Sequence, residues 1–516
     1  MGHPCSLGRR FTALASSIPS LPALHLPSGT TVSYADLDRR SDDIASFLHR
    51  KGVGPGDVIA LAHNKSADGY AAMLAGLKLG APYVNLDDQI PAERMAHILN
   101  SARARFILRD DDSLISKATV STPIVSLADI SPGDYRPEFQ FLTPEELSKL
   151  PAYLMFTSGS TGVPKGAMIS HASVHRFVDW ARDEFEIGHA DVITNVNPMY
   201  FDNSVFDFYA ALFNGAGLVA LPRELVKQPG PLVKAVQSAG ATIWFSVPSL
   251  LIYLQSMRQL GPGTWPVMRR IIFGGEGFPK SELKRLFDLF GHRCRLVNVY
   301  GPTECTCICS ADMISAGDFA SPEGLPKLGK LTRDFEFLVL GDADEPVARG
   351  AAGELCLLGG QVGLGYINDP ERTELAFQQS PEGCTPSGRM YRTGDLVRQD
   401  EQGDFWFVGR KDNQIKHQGY RIELEEIDAA LAALPGVIQA ATIYVKASAT
   451  SGRIVAFVAT GASTSVSSQA LGEQLEQKLP AYMLPASIQL LPQLPKNANG
   501  KVDRKALRAS STGMAE

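Results

Sequence analysis

The chain has 516 residues, 44% of them hydrophobic and 20% charged, the composition of a soluble globular protein too long for a single core. A net charge of −6 and a pI near 6.0 leave no nucleic-acid footprint, and no apolar run approaches the length of a membrane span. The N-terminus lacks the apolar core of a secretory signal, and seven cysteines without framework spacing point to reduced thiols in a cytoplasm.

Residues 1–30 read as an irregular lead-in. Met1-Gly2-His3-Pro4-Cys5-Ser6 fits the loose lipidation pattern, but that pattern is short and degenerate, so a soluble enzyme is expected. Residues 30–34 suggest a short strand and a helix entry with Ser33 as cap. Residues 35–51 carry Leu37, Ile44, Phe47 and Leu48 at helix spacing, and Gly52-Val53-Gly54-Pro55-Gly56-Asp57 ends that helix. A strand over 58–62, a helix over 67–79 and a strand over 81–86 follow. The rhythm continues through 98–108 and 124–127 and predicts α/β layers with parallel strands. Residues 132–146, rich in Pro, Asp and Glu, read as a connector.

Tyr153-Leu154-Met155-Phe156 is then a buried strand, and it runs into Thr157-Ser158-Gly159-Ser160-Thr161-Gly162-Val163-Pro164-Lys165-Gly166. Glycines let backbone N–H groups approach a ligand closely, and hydroxyls with one lysine complete a site suited to a polyphosphate. The spacing is not that of the Walker loop. A solvated linker of this composition is the plainer alternative, and the preceding strand and the Pro-Lys-Gly ending argue against it.

Beyond the loop come a helix over 172–185 and a strand over 192–196. Asp202 stands at the start of an apolar helix, where capping and ligand binding are equal alternatives. Strands over 241–245 and 267–273 follow, the second ending in Gly274-Gly275-Glu276-Gly277. The strand over 295–300 leads into Gly301-Pro302-Thr303-Glu304. Tyr300 offers a face to a purine, Asn298 a donor and an acceptor to its edge, and Glu304 a hard oxygen of the kind Mg²⁺ takes. Cys305, Cys307 and Cys309 have the spacing of a strand with all three on one face. That spacing is not a zinc pattern, and Cys307 is expected to face a pocket. Residues 353–360 and 363–366 read as β-structure with tight turns, and 405–408 as a short strand. Residues 416–423 read as a turn into a helix over 424–434, with strands over 440–446 and 453–459.

The loop, together with Phe-Asp-x-Ser (201–204), Asn-x-Tyr-Gly-Pro-Thr-Glu (298–304), Tyr-Arg-Thr-Gly-Asp (391–395) and Asn-Gly-Lys-Val-Asp-Arg-Lys (499–505), resembles the adenylate-forming enzymes. This superfamily comprises acyl-CoA synthetases, luciferases and the adenylation domains of nonribosomal peptide synthetases. The resemblance covers nearly the whole chain. It implies a large domain, residues 1–411, of layered α/β subdomains with a β-rich subdomain, and a small mobile α+β domain, residues 412–516, turning at Asp412. It implies ATP and Mg²⁺ as cofactors. Thr157, Ser158, Gly159, Ser160, Thr161, Gly162 and Lys165 would hold the β and γ phosphates. Gly275, Glu276, Asn298, Tyr300, Gly301 and Thr303 would contact the nucleotide, and Glu304 the metal. Asp395 would hold the ribose hydroxyls, and Arg410 the ribose or the adenylate phosphate. Lys501 would be the catalytic lysine, bridging substrate carboxylate and α-phosphate.

In such relatives the Asp of Phe-Asp-x-Ser binds the ammonium of an amino acid. The matching pocket here is Asp202, Asn203, Phe206, Phe245, Ile272, Gly274, Val299, Cys307 and Ile308, with Lys501. It suggests a small neutral amino acid, with Gly274 able to open one wall. Gly274 to Lys280 also resembles D-alanine:carrier-protein ligases. The implied sequence is aminoacyl-adenylate formation with pyrophosphate release. Transfer to the phosphopantetheine thiol of a carrier protein follows, with Gly419 lining the thiol's tunnel. Fifteen residues follow Lys501, so the expectation is a stand-alone ligase charging its carrier in trans, in secondary metabolism, or an excised module, with the N-terminal Met favouring the first. The alternatives are an acyl- or aryl-CoA synthetase and a non-catalytic nucleotide-binding relative.

Overall fold

A computed structural model describes residues 6–111, 120–132, 143–159, 163–417, 419–446, 452–460, 466–496 and 502–512. Two large sheets form the base of the molecule. The first has nine strands, and Pro22–His25, Gly217–Ala220, Val192–Asn195, Ile243–Ser246, Arg270–Gly274 and Arg295–Tyr300 run parallel through its middle. The second has seven, and Pro151–Thr157, Tyr83–Asn85, Ile59–Ala62, Phe106–Arg109 and Ile124–Ser126 are its parallel part. Central strands of both sheets are covered on both faces, which is why they read as continuous apolar runs rather than as alternation. The helix Ala67–Leu79 is buried along almost its whole length and shares one core with Tyr83 and Tyr153 of one sheet and Ile193, Phe245 and Ile272 of the other.

An antiparallel sheet of five strands, Phe335–Leu340, Gly353–Gly359, Arg389–Gln399, Phe377–Gln379 and Phe405–Arg410, adds a β-rich subdomain. The small domain contains the hairpin Gln414–His417 with Tyr420–Glu423 and the helix Leu424–Ala432. Its sheet is Val437–Lys446, Gly452–Thr460 and Ser487–Leu491. One face of that sheet packs Ile454, Ala456 and Val458 against Leu424 and Ile427, and the other packs Val455 and Phe457 against Leu494 and Leu507. Among the described residues no helix is long and apolar enough to cross a membrane.

Four expectations need correction. The lead-in is ordered as the helix Leu7–Ser17 and a strand. Leu7, Phe11 and Ala15 recur every four residues and are buried, Ser6 caps the helix at the Arg9 N–H, and the Leu7 N–H donates to His171 Nδ1. Residues 305–309 are not a strand. Thr303–Cys305 is a single tight helical turn, Thr306 and Cys307 take left-handed backbone angles (φ 59° and 75°), and the next strand starts at Ser310. The cysteines therefore diverge: Cys305 and Cys309 enter the β-rich core, while Cys307 joins the core of the two large sheets. Residues 416–423 form a hairpin rather than a plain turn. The end of the 132–146 connector is the helix Pro144–Lys149, started by a capping box of Thr143 and Glu146, while residues 133–142 lie outside the described ones.

Candidate active site

A cavity of about 980 Å³ opens where the two large sheets, the β-rich subdomain and the small domain meet. Its wall changes chemistry along its length. At one end Tyr300, Gly275, Thr393, Asp395, Arg410 and Lys416 line it. The Tyr300 hydroxyl donates to Asp395 Oδ2 at 2.6 Å, and Arg410 holds Asp395 Oδ1 at 2.7 Å and Asp412 Oδ2 at 2.5 Å. The hinge candidate is thus tied to the ribose candidate through one guanidinium. Asn298 is buried one residue behind this wall and donates to the Lys327 carbonyl. Glu276 does not line the cavity either; it accepts N–H bonds from Ser249 at 2.7 Å and from Gly419 at 3.0 Å.

The middle of the cavity is lined by Asp202, Asn203, Phe245, Val299, Cys307 and Ile308. Asp202 directly precedes the helical turn Asn203–Val205, yet its carboxylate caps none of that turn's N–H groups. It accepts the Thr303 hydroxyl at 2.5 Å and has no ion pair among the described residues. Burial pushes its pKa above the ordinary aspartate value, against the Thr303 hydrogen bond. Phe206 and Ile272 stand behind the wall rather than in it, and Phe206 meets Phe245 edge-on at 5.1 Å. Phe206 opens a widened helical turn, Phe206–Ala210, whose residues are all buried behind that wall. Gly274 does not open a wall: a β-carbon there would lie 2.4 Å from the Val299 carbonyl oxygen, so the glycine serves close strand packing.

The phosphate loop forms the third side. Thr157 and Ser158 line the cavity, and Thr157 Oγ1 is buried without a hydrogen-bond partner among the described residues. Gly159 closes tightly on the Val163 carbonyl. Ser160, Thr161 and Gly162 lie outside the described residues. Lys165 donates to the Tyr366 hydroxyl at 3.1 Å and stands 3.4 Å from Glu304, whose buried carboxylate accepts from Tyr366 at 2.8 Å and from Arg421 at 2.8 Å. Burial alone would raise the Glu304 carboxyl, but Arg421, Lys165 and Tyr366 hold it well below the usual carboxylate range. Burial lowers the Lys165 pKa, and Glu304 opposes that. An ionised oxygen ligand beside a lysine and an orphaned hydroxyl fits a nucleotide triphosphate and its Mg²⁺, with Arg421 now at the Glu304 oxygen.

Lys501 lies outside the described residues. Its neighbours Lys496 and Val502 form a β-bridge, Val502 packs on the Val455 face of the small sheet, and neither lines the cavity. The hairpin on the opposite side brings Lys416, Gly419, Tyr420 and Arg421 into the cavity instead. Gly419 has φ 84°, and a β-carbon there would stand 2.9 Å from Val247. Lys416 and Arg421 carry no assigned role in the sequence reading. Their signal was an Lys and an Arg within a hairpin that also holds Ile415 and Ile422, which a surface hairpin does not need. A further stretch of wall, with Asp87, Arg223, Tyr253 and Tyr482, also went unnoticed because its residues come from four distant segments.

A cavity lined by Tyr300, Asp395 and the first residues of a phosphate loop, with Glu304 and Lys165 paired behind its wall, is the arrangement of a nucleotide-dependent enzyme of the adenylate-forming type. The chain belongs to the AMP-binding enzymes: the family matches over residues 11–367, and the AMP-binding enzyme C-terminal domain matches over residues 426–501. It is 33% identical over 488 residues to a dimodular nonribosomal peptide synthase of Bacillus subtilis, covering 93% of this chain and 20% of that one. It is 34% identical over 504 residues to the AMB antimetabolite synthetase AmbB of Pseudomonas aeruginosa, covering 98% and 39%. The chain thus spans a minor part of the curated relatives it matches. Among solved structures, holo-PA1221, a nonribosomal synthetase protein with adenylation and PCP domains, superposes with a TM-score of 0.82 at 26% identity, over 98% of this chain and 84% of that one. The amide bond synthetase McbA from Marinactinospora thermotolerans shares the fold at TM-score 0.83 and 24% identity, over 98% and 99%. The chain is therefore an adenylate-forming, AMP-binding enzyme, similar to the adenylation domains of nonribosomal synthetases.

Proposed function

We propose that the enzyme uses ATP to activate a carboxylic acid, that this acid is an amino acid, small and neutral, and that the activated acyl group passes to the phosphopantetheine thiol of a separate carrier protein. The observation that carries this reading is Asp202. A half-buried carboxylate whose one hydrogen-bond partner among the described residues is a hydroxyl, set among Phe245, Val299, Cys307 and Ile308, matches an α-ammonium, and an acid without one would leave that charge without a paired cation. The closed Gly274 wall favours a short side chain.

In the first step a substrate carboxylate oxygen bonds to the α-phosphorus of ATP, and the bond to the pyrophosphate oxygen breaks. Asp202 holds the ammonium, and the phosphate loop with Lys165 holds the leaving pyrophosphate. Glu304 would hold Mg²⁺, which when bound offsets the charge of that leaving group. Asp395 and Arg410 hold the ribose side, and Lys501 supplies the cation at the α-phosphate. In the second step the thiol gives its proton to solvent, sulfur bonds to the acyl carbon, the bond from that carbon to the phosphate oxygen breaks, and AMP leaves. The small domain, taken as residues 412–516 and hinged at Asp412, presents Gly419 to the arm in this orientation.

Amino-acid-dependent ATP–pyrophosphate exchange tests the reading. The panel is glycine, both enantiomers of alanine, serine and valine, with acetate and benzoate as controls. Exchange with one small amino acid is expected. Exchange with the controls alone would move the enzyme to the CoA-ligase class, and free coenzyme A against holo-carrier protein then separates the acceptors.

A further inference from the structure

The phosphate loop meets a second carboxylate. Glu426 stands in the first turn of the helix Leu424–Ala432, on the small domain. Its Oε2 accepts the Gly159 N–H at 3.1 Å, and its Oε1 pairs with Arg94 of the large domain. Side-chain exposure is 1% for Glu426 and 8% for Arg94, so the pair is withdrawn from water. Alongside it the Ser158 hydroxyl donates to the Arg421 carbonyl at 2.7 Å and accepts the Glu423 N–H at 3.2 Å. A loop amide, a loop hydroxyl and the Glu304 carboxylate are therefore all satisfied by small-domain groups.

Loop amides of this kind are anion donors, and one N–H cannot serve a carboxylate and a phosphoryl oxygen together. We propose that Glu426, held by Arg94, is an internal competitor for the phosphate loop: it takes the place of a terminal phosphate, so this orientation of the small domain and a bound triphosphate or pyrophosphate exclude each other. Glu426 and Arg94 are positioning residues. They favour the acceptor-facing arrangement once pyrophosphate has left, and they keep pyrophosphate from returning to the adenylate. The energetic logic is that of a protein whose binding-competent fraction is reduced: apparent affinity for the nucleotide falls by that fraction. The proposal rests on reading the loop as the triphosphate site, and its test needs no amino acid.

The intact protein is titrated with Mg·ATP and with Mg·pyrophosphate. Glu426→Gln should bind both about fivefold or more tightly than the unmodified chain. Glu425→Gln, on the same turn but bonded to Asn413 Nδ2 at 2.7 Å, should bind both unchanged. Transfer from a preformed adenylate should slow in Glu426→Gln only. Should that variant fail to fold, Glu426→Asp, which keeps the charge and shortens the reach, should show the same tightening at smaller size. Unchanged or weaker pyrophosphate binding, or equal tightening in Glu425→Gln, overturns the competition. Failure of every form to bind Mg·ATP would instead overturn the triphosphate reading of the loop.

Discussion

The two ends of the cavity are built on different principles. The substrate end is made of one domain: Phe245, Val299, Cys307 and Ile308 are part of the same core that joins the two large sheets, and Asp202 accepts the Thr303 hydroxyl. Its shape is set when the large domain folds. The phosphate end is shared: Glu304, Ser158 and Gly159 come from the large domain and meet Arg421, the Glu423 N–H and Glu426 from the small one. There the partners are charges and backbone polar groups, the donors and acceptors a phosphate would also take. In the proposed function the preformed pocket serves selection, and the polar site divided between two bodies serves the change from adenylation to transfer.

The largest expected effect breaks the substrate end. Asp202→Asn should lower kcat/KM for the cognate amino acid by at least about a hundredfold, since an ammonium would lose its charged partner, with Mg·ATP binding unchanged. An exchange assay beside a nucleotide titration reads both. An effect of a few fold would mean that the ammonium lies elsewhere. Next, Arg421→Gln leaves Glu304 buried without its guanidinium. Transfer from a preformed adenylate should fall about tenfold or more, while ATP–pyrophosphate exchange stays within a few fold, because Arg421 acts in the acceptor-facing arrangement. Equal losses in both half-reactions would merge the two ends into one functional unit. Gly419→Ala is smaller in effect: a β-carbon at φ 84° and 2.9 Å from Val247 should slow transfer several fold and spare exchange.

The smallest effect is a pH limb. The Asp202 pKa is raised by burial, and an ammonium binds its ionised form. Apparent affinity for the amino acid should therefore be weak at low pH, rise as pH passes the raised value, which lies above 3.8, and level off beyond it. In Asp202→Asn this limb should vanish from a plot of KM against pH.

Legibility followed the same division. The strand and helix rhythm of the large sheets was readable because doubly covered strands are apolar runs and their helices keep a 3.6-residue period. Arg295–Tyr300 was read with the bounds it has, and Ser33 is the cap it was taken to be. The helix Leu7–Ser17 is less legible because its stripe, Leu7, Phe11 and Ala15, is narrow and is stabilised by packing into the core of the large sheets. The three cysteines misled because a spacing of two implies a strand only when the backbone is extended, and Thr306 and Cys307 are left-handed. Gly274 misled because a missing side chain can make room for a ligand or for a neighbouring strand, and only the position of Val299 distinguishes them.

The sequence by itself determined the family, the α/β layering, and the set of residues able to bind a nucleotide and an ammonium. These follow from local chemistry: turn glycines, buried apolar runs, and acids and bases at fixed offsets. Only the tertiary structure decided which of those residues face the cavity, that Asp202 caps nothing, and that Arg421 and Glu426 reach Glu304 and Gly159 from more than a hundred residues away in the chain. A charge states its sign in the sequence, but its partner is chosen by the packing of whole domains, and no local pattern records that choice.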